Sequence, residues 1–154
     1  MNLFKIVRRH QLSASLEDVW AFFSNPANLA AITPPELGFV TTSQQVKPHI
    51  YPGQVITYTI TPFAGIKMNW MTEITHVDGH HLFVDEQRKG PYKLWHHQHH
   101  FEPNDNGVLM TDIVHYSLPL GPLGLLAHAW FVKKQLNHIF DYRFQKTEML
   151  FNKK

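Results

Sequence analysis

Along most of the chain, hydrophobic and polar residues alternate with the two-residue period of β-strands. Turn-forming residues interrupt the alternation, and Asp78-Gly79 is the clearest example because Asp-Gly is typical of tight hairpins. The pattern predicts strands at residues 3–12, 38–45, 54–61, 66–77, 80–88, 93–102 and 107–117. Short turns join neighbouring strands in antiparallel fashion, so the segments after residue 38 are expected to form a meander.

Two short helices are predicted after the first strand. Hydrophobic residues between Leu16 and Phe23 recur at steps of three and four, and Ser15 is a suitable N-cap before them. This first helix is expected to end near Ser24. A second short helix is predicted over residues 27–31, and Pro34-Pro35 ends it because a residue before proline avoids the helical region.

A long C-terminal helix is predicted over residues 123–150. Its hydrophobic face is formed by residues at steps of three and four: Val132, Leu136, Ile139, Phe140, Phe144, Thr147 and Phe151. A helix of this length extends about 38 Å. A sheet of about seven strands twists and curls, so a helix laid across its concave face leaves space between the two. The sequence therefore predicts an α+β fold in which a curved antiparallel sheet wraps around a long C-terminal helix and encloses a cavity.

The amino-acid composition narrows the possible classes of protein. The chain has 154 residues, and a hydrophobic fraction of 44% with a charged fraction of 17% indicates one domain, residues 1–154, with a packed core. The formal net charge is only +2 and the basic residues are scattered, so we expect no nucleic-acid partner. The absence of cysteine excludes disulfides, thiol nucleophiles and cysteine-ligated zinc.

The N-terminus lacks the long apolar segment of a secretion signal. No apolar run approaches the roughly 18 residues of a membrane span. We therefore expect a cytoplasmic protein without a membrane span.

Residues 95–101, Trp-His-His-Gln-His-His-Phe, form the most informative segment of the chain. Side chains alternate along a strand, so Trp95, His97, His99 and Phe101 share one face. The two large rings at the ends of this set assign that face to the interior. His96, Gln98 and His100 share the other face, which we expect to meet solvent.

Hairpin registers predict which residues lie beside this row. A turn at Gly90-Pro91 places Asp85 opposite His97. The same register places Gln87 opposite Trp95. Directly opposed residues bring their Cβ atoms within about 4.5–5.5 Å, and a slip by one residue would move each set to the other face.

The following hairpin extends the row. A turn around Asp105-Asn106 places Asp112 opposite His99 and Tyr116 opposite Trp95. Two carboxylates would then lie beside two imidazoles on the inner wall, and we expect each histidine pKa to rise. Three interpretations remain open: a buried hydrogen-bond network, a polar anchor in a ligand pocket, or a metal site.

The local motifs and the order of elements resemble a known superfamily. The motifs are Asn28-Leu29 with Ile32-Thr33-Pro34-Pro35, Asp85-x-Gln87-x-x-Gly90-Pro91-Tyr92, Trp95-x-His97-x-His99-x-Phe101, and Asp112-x-Val114-x-Tyr116-x-x-Pro119-x-Gly121. Across about residues 3–150 the chain resembles the START-like, or SRPBCC, helix-grip superfamily. Its motifs resemble those of bacterial members often labelled ligand-binding domains or cell-division inhibitors. The resemblance implies a fold and a ligand cavity but no particular reaction. It suggests no metal, and we expect no cofactor.

The cavity residues predicted to bind a ligand come from the inner strand faces and from the start of the last helix. They are Trp70, Asp85, Gln87, Trp95, His97, His99, Phe101, Asp112, Val114, Tyr116, Leu126 and Trp130. In this set Leu126 and Trp130 are expected to gate the pocket entrance.

Three functions are compatible with this pattern. The first is binding or carriage of a small hydrophobic molecule, such as a lipid, polyketide or isoprenoid-like compound. The second is an aromatase/cyclase-like enzyme, with His97 or His99 as base and Asp112 or Tyr116 as acid or orienting group. The third is a regulator that binds a protein partner, with its cavity filled by side chains. No nucleophile elbow, phosphate loop or dinucleotide fingerprint is present, so an enzyme is the less favoured interpretation.

Overall fold

A seven-stranded antiparallel sheet forms most of the protein, which is described by a computed structural model over residues 2–44, 47–63 and 65–152. The strands are β1 (Phe4–Leu12), β2 (Val40–Thr41), β3 (Val55–Phe63), β4 (Ile66–Asp78), β5 (Leu82–Lys89), β6 (Leu94–Asn104) and β7 (Gly107–Ser117). Their order is β1-β7-β6-β5-β4-β3-β2, so β1 pairs with the last strand and the others form a meander. The predicted α+β fold is confirmed.

The second strand is much shorter than the sequence predicts. Strand β2 pairs with β3 over two residues, whereas the alternation predicts residues 38–45. The end of that predicted strand, Gln45, lies outside the described residues. Gly38 takes a left-handed conformation with φ of 54°, and this bend delays the start of the strand.

Short helices cover one end of the sheet. Helix α1 (Leu16–Phe23) is capped as predicted, since the Asp18 backbone N–H donates to Ser15 Oγ at 3.1 Å. The second predicted helix is a 3-10 helix, Pro26–Ile32, followed by a 3-10 turn at Pro35–Leu37. These segments form part of the cavity wall described below.

The C-terminal helix is one run of 31 residues with a π-helical turn inside it. It consists of α2 (Gly121–Ala127), the π turn His128–Val132 and α3 (Lys133–Phe151). From Val132 onward the predicted face packs on the sheet, and Val132, Leu136, Phe140 and Thr147 are buried, but Phe144 is largely exposed. None of the described helices combines the length and hydropathy needed to cross a bilayer.

The hydrophobic core lies on the concave face of the sheet and divides into three clusters. One joins β1 and β7 to the C-terminal helix around Tyr116, Val114 and Leu136. A second joins α1 to the sheet around Phe101 and Trp20. The third, around Ile56, Tyr58, Ile60 and Ile74, covers β3 and β4. The space that the sequence predicts between helix and sheet lies among these clusters.

The turn between β6 and β7 depends on Gly107. Its φ is 117°, and a Cβ atom there would lie 2.1 Å from the Leu12 carbonyl oxygen. We expect Gly107→Ala to lower the free energy of unfolding by more than about 1 kcal/mol, because the substitution adds a backbone collision to an unfavourable φ. Urea denaturation measures the loss.

The matched control is Gly53→Ala. Gly53 has a φ of 86°, but a methyl group added there would meet no atom within 4 Å, so only the conformational cost applies. Equal losses for the two variants would show that the contact with Leu12 contributes nothing.

Candidate functional site: a cavity with a histidine–aspartate wall

A cavity of about 180 Å³ lies between the sheet and the C-terminal helix. Its wall is mainly apolar, with Ile56, Ile60 and Ile74 from β3 and β4, and Leu136, Ile139 and Phe140 from α3. The helical segments after β1 contribute Phe22, Phe23, Leu29 and Ile32. The cavity is therefore a hydrophobic space whose few polar groups are grouped in definite places, as is common in ligand pockets.

The polar wall arises from strands β5 and β6. Asp85 pairs with His97, and His99 pairs with Asp112, as the hairpin registers predict. Tyr116 also lies opposite Trp95. The pairing of β5 with β6 ends at Glu86 and His96, one position before Gln87 and Trp95 would meet. The predicted inner face of β6 is confirmed, because His97, His99 and Phe101 are buried while His96, Gln98 and His100 are only half-buried.

Asp85, His97, His99 and Asp112 form a compact group that we call the His–Asp quartet. His97 Nε2 and Asp112 Oδ1 are hydrogen-bonded at 2.9 Å, and His99 Nε2 and Asp85 Oδ2 at 2.8 Å. The other ring nitrogens complete the group. His97 Nδ1 lies 3.5 Å from Asp85 Oδ2, and His99 Nδ1 lies 2.9 Å from Asp112 Oδ1.

One of these contacts is short without being a hydrogen bond. The separation of His99 Nδ1 from Asp112 Oδ1 has the length but not the direction of a hydrogen bond, and Nδ1 has no hydrogen-bond partner among the described residues. The His97 and His99 rings lie 3.7 Å apart between centroids, and His99 stacks on Phe83 at 4.0 Å. The two imidazoles are thus packed against each other, with Phe83 stacked on His99.

The two imidazoles respond differently to the same surroundings. Burial and the neighbouring His99 lower the pKa of His97 against the opposing attraction of Asp85 and Asp112. Burial also disfavours the charged form of His99, but its contacts with Asp112 and Asp85 outweigh burial and raise its pKa. The expectation that both histidine pKa values rise is therefore confirmed for His99 and wrong for His97, because burial and then the adjacent His99 ring disfavour a positive charge on His97.

Both carboxyl groups are held as carboxylates. Burial would raise the pKa of Asp112, but the hydrogen bond from His97 and the close contact with His99 lower it strongly. Burial likewise opposes ionisation of Asp85, and His97, His99 and the more distant Arg143 together lower its pKa. Negative charge on the buried Asp112 and the half-buried Asp85 is thus stabilised by the neighbouring imidazoles, with a further contribution from one guanidinium at Asp85.

A second polar group lies on the β3–β4 wall. The Trp70 Nε1–H donates to Thr72 Oγ1 at 3.0 Å, and Thr72 Oγ1 also hydrogen-bonds with the Tyr58 hydroxyl at 2.5 Å. Burial raises the pKa of Tyr58, so its hydroxyl remains protonated. A hydroxyl and an indole therefore provide an uncharged polar position separate from the quartet.

The comparisons with known proteins identify the family. Residues 12–150 match the family described as polyketide cyclase / dehydrase and lipid transport. The chain belongs to this family. The resemblance to the START-like/SRPBCC superfamily is thereby confirmed, whereas no curated protein matches the chain.

Solved structures show the same fold for this family member. Protein CV1439 from Chromobacterium violaceum superposes with a TM-score of 0.70 at 15% identity, covering 97% of this chain and 98% of that one. Protein TTHA0849 from Thermus thermophilus gives 0.68 at 15% identity, with 96% and 95% covered. The ginseng major latex-like protein 151 from Panax ginseng gives 0.58 at 15% identity, with 88% and 96% covered. At these identities the likeness establishes the fold alone.

In this polyketide cyclase/dehydrase-family chain, five predicted ligand residues line the cavity: Trp70, Asp85, Trp95, His97 and His99. Asp112 lies behind the two histidines and does not reach the cavity itself. Gln87 lies near the end of β5, and its side chain bonds to the following turn, donating to the Tyr92 carbonyl at 2.7 Å and accepting from the Tyr92 N–H at 3.2 Å.

Three further predicted residues face inward but lie in the packed core. Val114 and Tyr116 pack beneath the C-terminal helix, and Phe101 packs against α1. The Tyr116 hydroxyl hydrogen-bonds with His128 Nε2 at 2.8 Å, away from the quartet. Of the four catalytic candidates, therefore, only His97 and His99 line the cavity.

The predicted gate residues are placed outside the cavity. Leu126 is 60% exposed and Trp130 is 84% exposed, and neither contributes to the cavity wall. In this part of the helix the buried or half-buried positions are Gly124, His128 and Val132. Leu126 and Trp130 are two residues from these positions, which is about 200° around the helix axis.

Arg143 is a cavity residue that the sequence reasoning missed. It lines the cavity from α3, its guanidinium lies 5.2 Å from the centroid of the Phe140 ring, and its Nε has no hydrogen-bond partner among the described residues. Its spacing could have predicted this position, because Arg143 lies three residues after Phe140 and seven after Leu136, on the buried face of the helix. Tyr58, Thr72 and Tyr92 were also missed, although Tyr58 and Thr72 alternate inward on their strands.

Proposed function

We propose that the protein binds a small hydrophobic molecule containing one or two rings, with an oxygen-bearing end held at the His–Asp quartet. The observation that carries the proposal is the apolar cavity of about 180 Å³ with Asp85, His97 and His99 in one wall. An engineered apolar cavity of about 150 Å³ in another protein binds benzene, so a space of this size suits an aromatic ring system. A two-chain lipid needs a larger volume, which favours a polyketide-like ligand over a phospholipid.

Burial supplies the affinity and the polar groups supply the orientation. Each 100 Å² of apolar ligand surface removed from water contributes about 2.5 kcal/mol before the costs of association. Trp70 and Trp95 in the wall offer flat surfaces for stacking. A ligand hydroxyl or carbonyl can then hydrogen-bond with the quartet or with the Tyr58 hydroxyl.

Native mass spectrometry of freshly purified protein, followed by solvent extraction, would identify a bound ligand class. Incubating the extracted compound with fresh protein separates two functions. Recovery of the unchanged compound supports binding or carriage. Conversion of the compound supports acid–base catalysis, for which His97 and His99 are suited because their environments shift their pKa values in opposite directions.

A cavity-filling substitution tests the binding proposal directly. Ile60 is buried and lines the cavity from β3. We expect Ile60→Phe to weaken the binding of 2-naphthol, a two-ring phenol, by about 10-fold or more, a loss of about 1.4 kcal/mol, because the new ring occupies ligand space. Quenching of tryptophan fluorescence reports the titration, since Trp70 and Trp95 lie in the wall.

The matched control lies on the same strand. Val55 is 51% exposed and does not line the cavity, so Val55→Phe adds the same ring without filling it. Equal affinities of Ile60→Phe and Val55→Phe for 2-naphthol would contradict binding in this cavity.

The third hypothesis, a protein-binding regulator with a filled cavity, has less support. The cavity is not filled by side chains. Exposed apolar residues do occur at the start of the C-terminal helix, including Leu120, Leu123, Leu126 and Trp130.

A further inference from the structure

Four nitrogen–carboxylate contacts join the members of the quartet, but only those of His97 Nε2 with Asp112 and of His99 Nε2 with Asp85 are hydrogen bonds. Each ring places one nitrogen 2.9 Å from Asp112 Oδ1 and the other toward Asp85 Oδ2, at 3.5 Å for His97 and 2.8 Å for His99. A neutral imidazole has only one N–H, so two rings supply two protons for four contacts. With both protons on Nε2 for the two hydrogen bonds, the Nδ1 lone pairs of His97 and His99 would lie 3.5 and 2.9 Å from carboxylate oxygens.

Adding protons resolves this conflict only in part. Full protonation of both rings would place two cations 3.7 Å apart in a buried site. Protonation of one ring still leaves a lone pair of the other ring facing a carboxylate. A cation placed between the nitrogens and Asp85 would satisfy all three groups, because metal ions bind lone pairs that protons leave free.

The side chains on the Asp85 side of the quartet have the spacing of a metal site. Asp85, His97 and His99 each offer one ligand atom, and these atoms lie within 4.8 Å of one another. Ligands that bind one metal at about 2.1 Å in tetrahedral or octahedral geometry are about 3.0–3.4 Å apart. The observed separations of Asp85 Oδ2 from His97 Nδ1 and His99 Nε2, 3.5 and 2.8 Å, bracket that range.

Asp112 occupies the position of an orienting carboxylate. Histidines that bind metals usually direct their second nitrogen to a carboxylate or carbonyl, which fixes the ring. Asp112 Oδ1 contacts the second nitrogen of both rings, and Asp112 does not line the cavity. The three other members of the quartet do line it, so remaining metal positions would face a cavity ligand.

We propose that His97 Nδ1, His99 Nε2 and Asp85 Oδ2 bind one divalent transition-metal ion, with Asp112 as the orienting carboxylate. Two histidines and one carboxylate with open positions are ligands that Zn²⁺ and Fe²⁺ both accept. The charges of Asp85 and Asp112 balance the ion. The inference stands apart from the proposed hydrophobic ligand, because the metal site is complete without it and is tested without it.

The test uses Zn²⁺ alone, added to the 154-residue chain first stripped with EDTA. Isothermal titration calorimetry is expected to show one tight site per chain. Asp85→Asn is nearly isosteric and removes a charged ligand, so we expect it to weaken Zn²⁺ binding by at least the about 10–100-fold that loss of an orienting partner causes. His99→Ala is expected to have an equal or larger effect.

The chain has 12 histidines, so adventitious binding needs a matched control. His96 and His100 lie on β6 with His97 and His99, but on its outer face. The double variant His96→Ala/His100→Ala is expected to retain wild-type Zn²⁺ affinity. The proposal is overturned if this control loses the tight Zn²⁺ site or if Asp85→Asn retains it. In either case a proton, and not a metal ion, would link the imidazoles to Asp85.

A measurement on the wild type keeps the test independent of variant folding. Co²⁺ bound at a site of low coordination number gives visible absorption, and Zn²⁺ should displace it. In NMR spectra, Zn²⁺ is expected to shift the ring resonances of His97 and His99 and to leave those of His96 and His100 unchanged. Shifts confined to His96 and His100 would contradict the quartet site.

Discussion

Replacing Asp112 with alanine is expected to lower the free energy of unfolding by about 3–5 kcal/mol, because it leaves buried polar groups without their partner. Asp112 is 6% exposed and lies 2.9 Å from one nitrogen of each buried histidine. Without it, His97 Nε2 loses its hydrogen bond inside the sheet. Urea denaturation of EDTA-treated protein measures the loss without any contribution from bound metal.

The pH dependence gives this prediction a second test. Folding lowers the pKa of Asp112, despite its burial, because His97 and His99 stabilise the carboxylate. A carboxyl group with a lowered folded pKa stabilises the protein above its unfolded value of 3.8 and loses that contribution as the pH falls further. The stability difference between wild type and Asp112→Ala should therefore be full at neutral pH and should narrow in acid.

Asp105→Ala is the matched control. Asp105 is exposed in the turn between β6 and β7, where removal of a carboxylate is expected to change stability by less than about 0.5 kcal/mol. A loss in Asp112→Ala as small as that of the control would show that the quartet is not a stabilising network. Binding of 2-naphthol by the folded fraction then distinguishes a structural role from a ligand-binding one.

Strand periodicity and turn residues were sufficient to predict most of the sheet. The alternation assigns the inner face of β6, and the hairpin turns fix the registers that bring Asp85 to His97 and Asp112 to His99. Register is strongly determined here because one face of each strand is buried, so a slip would expose the core. The part of the site that depends on local pairing was therefore predictable.

Alternation along a strand predicts which face of the sheet a side chain lies on. It does not predict which other segment of the chain packs over that side chain. Phe101 and Val114 face inward as predicted, yet α1 and the C-terminal helix cover them and they do not reach the cavity. Where a helix lies along a sheet depends on packing between distant segments, which a two-residue period does not encode. Leu126 and Trp130 were misplaced for a related reason, because the helix contains a π turn at residues 128–132 and its buried face there follows steps of four.

Arg143 shows a different limit of prediction from sequence. Charged residues on amphipathic helices usually face solvent, so a sequence pattern does not predict that an arginine on the apolar face lines a cavity. The structure places Arg143 in the cavity wall, where its charge contributes to lowering the pKa of Asp85, an electrostatic relation between α3 and β5. Such a relation between distant segments follows from the fold.

Phe101→Ala is the second substitution with a large expected effect, a loss of about 3–5 kcal/mol in the free energy of unfolding. Phe101 is 0% exposed and meets three rings, those of Trp20, Phe23 and Phe83, at centroid distances of 5.6, 5.7 and 6.0 Å. Removing its ring leaves a void that these neighbours cannot close completely, because α1 and the sheet hold them in place. Thermal and urea unfolding both measure the loss.

The same variant distinguishes an effect on the stability of the core from an effect on ligand binding in the cavity. Because Phe101 does not line the cavity, Phe101→Ala should lose stability while its folded fraction keeps nearly wild-type affinity for 2-naphthol, the reverse of Ile60→Phe. Trp130→Ala, at an 84% exposed position, should change stability by less than about 0.5 kcal/mol and leave binding unaffected. If Phe101→Ala or Trp130→Ala instead weakens 2-naphthol binding as much as Ile60→Phe, the ligand lies nearer α1 or the start of the C-terminal helix than the cavity described here.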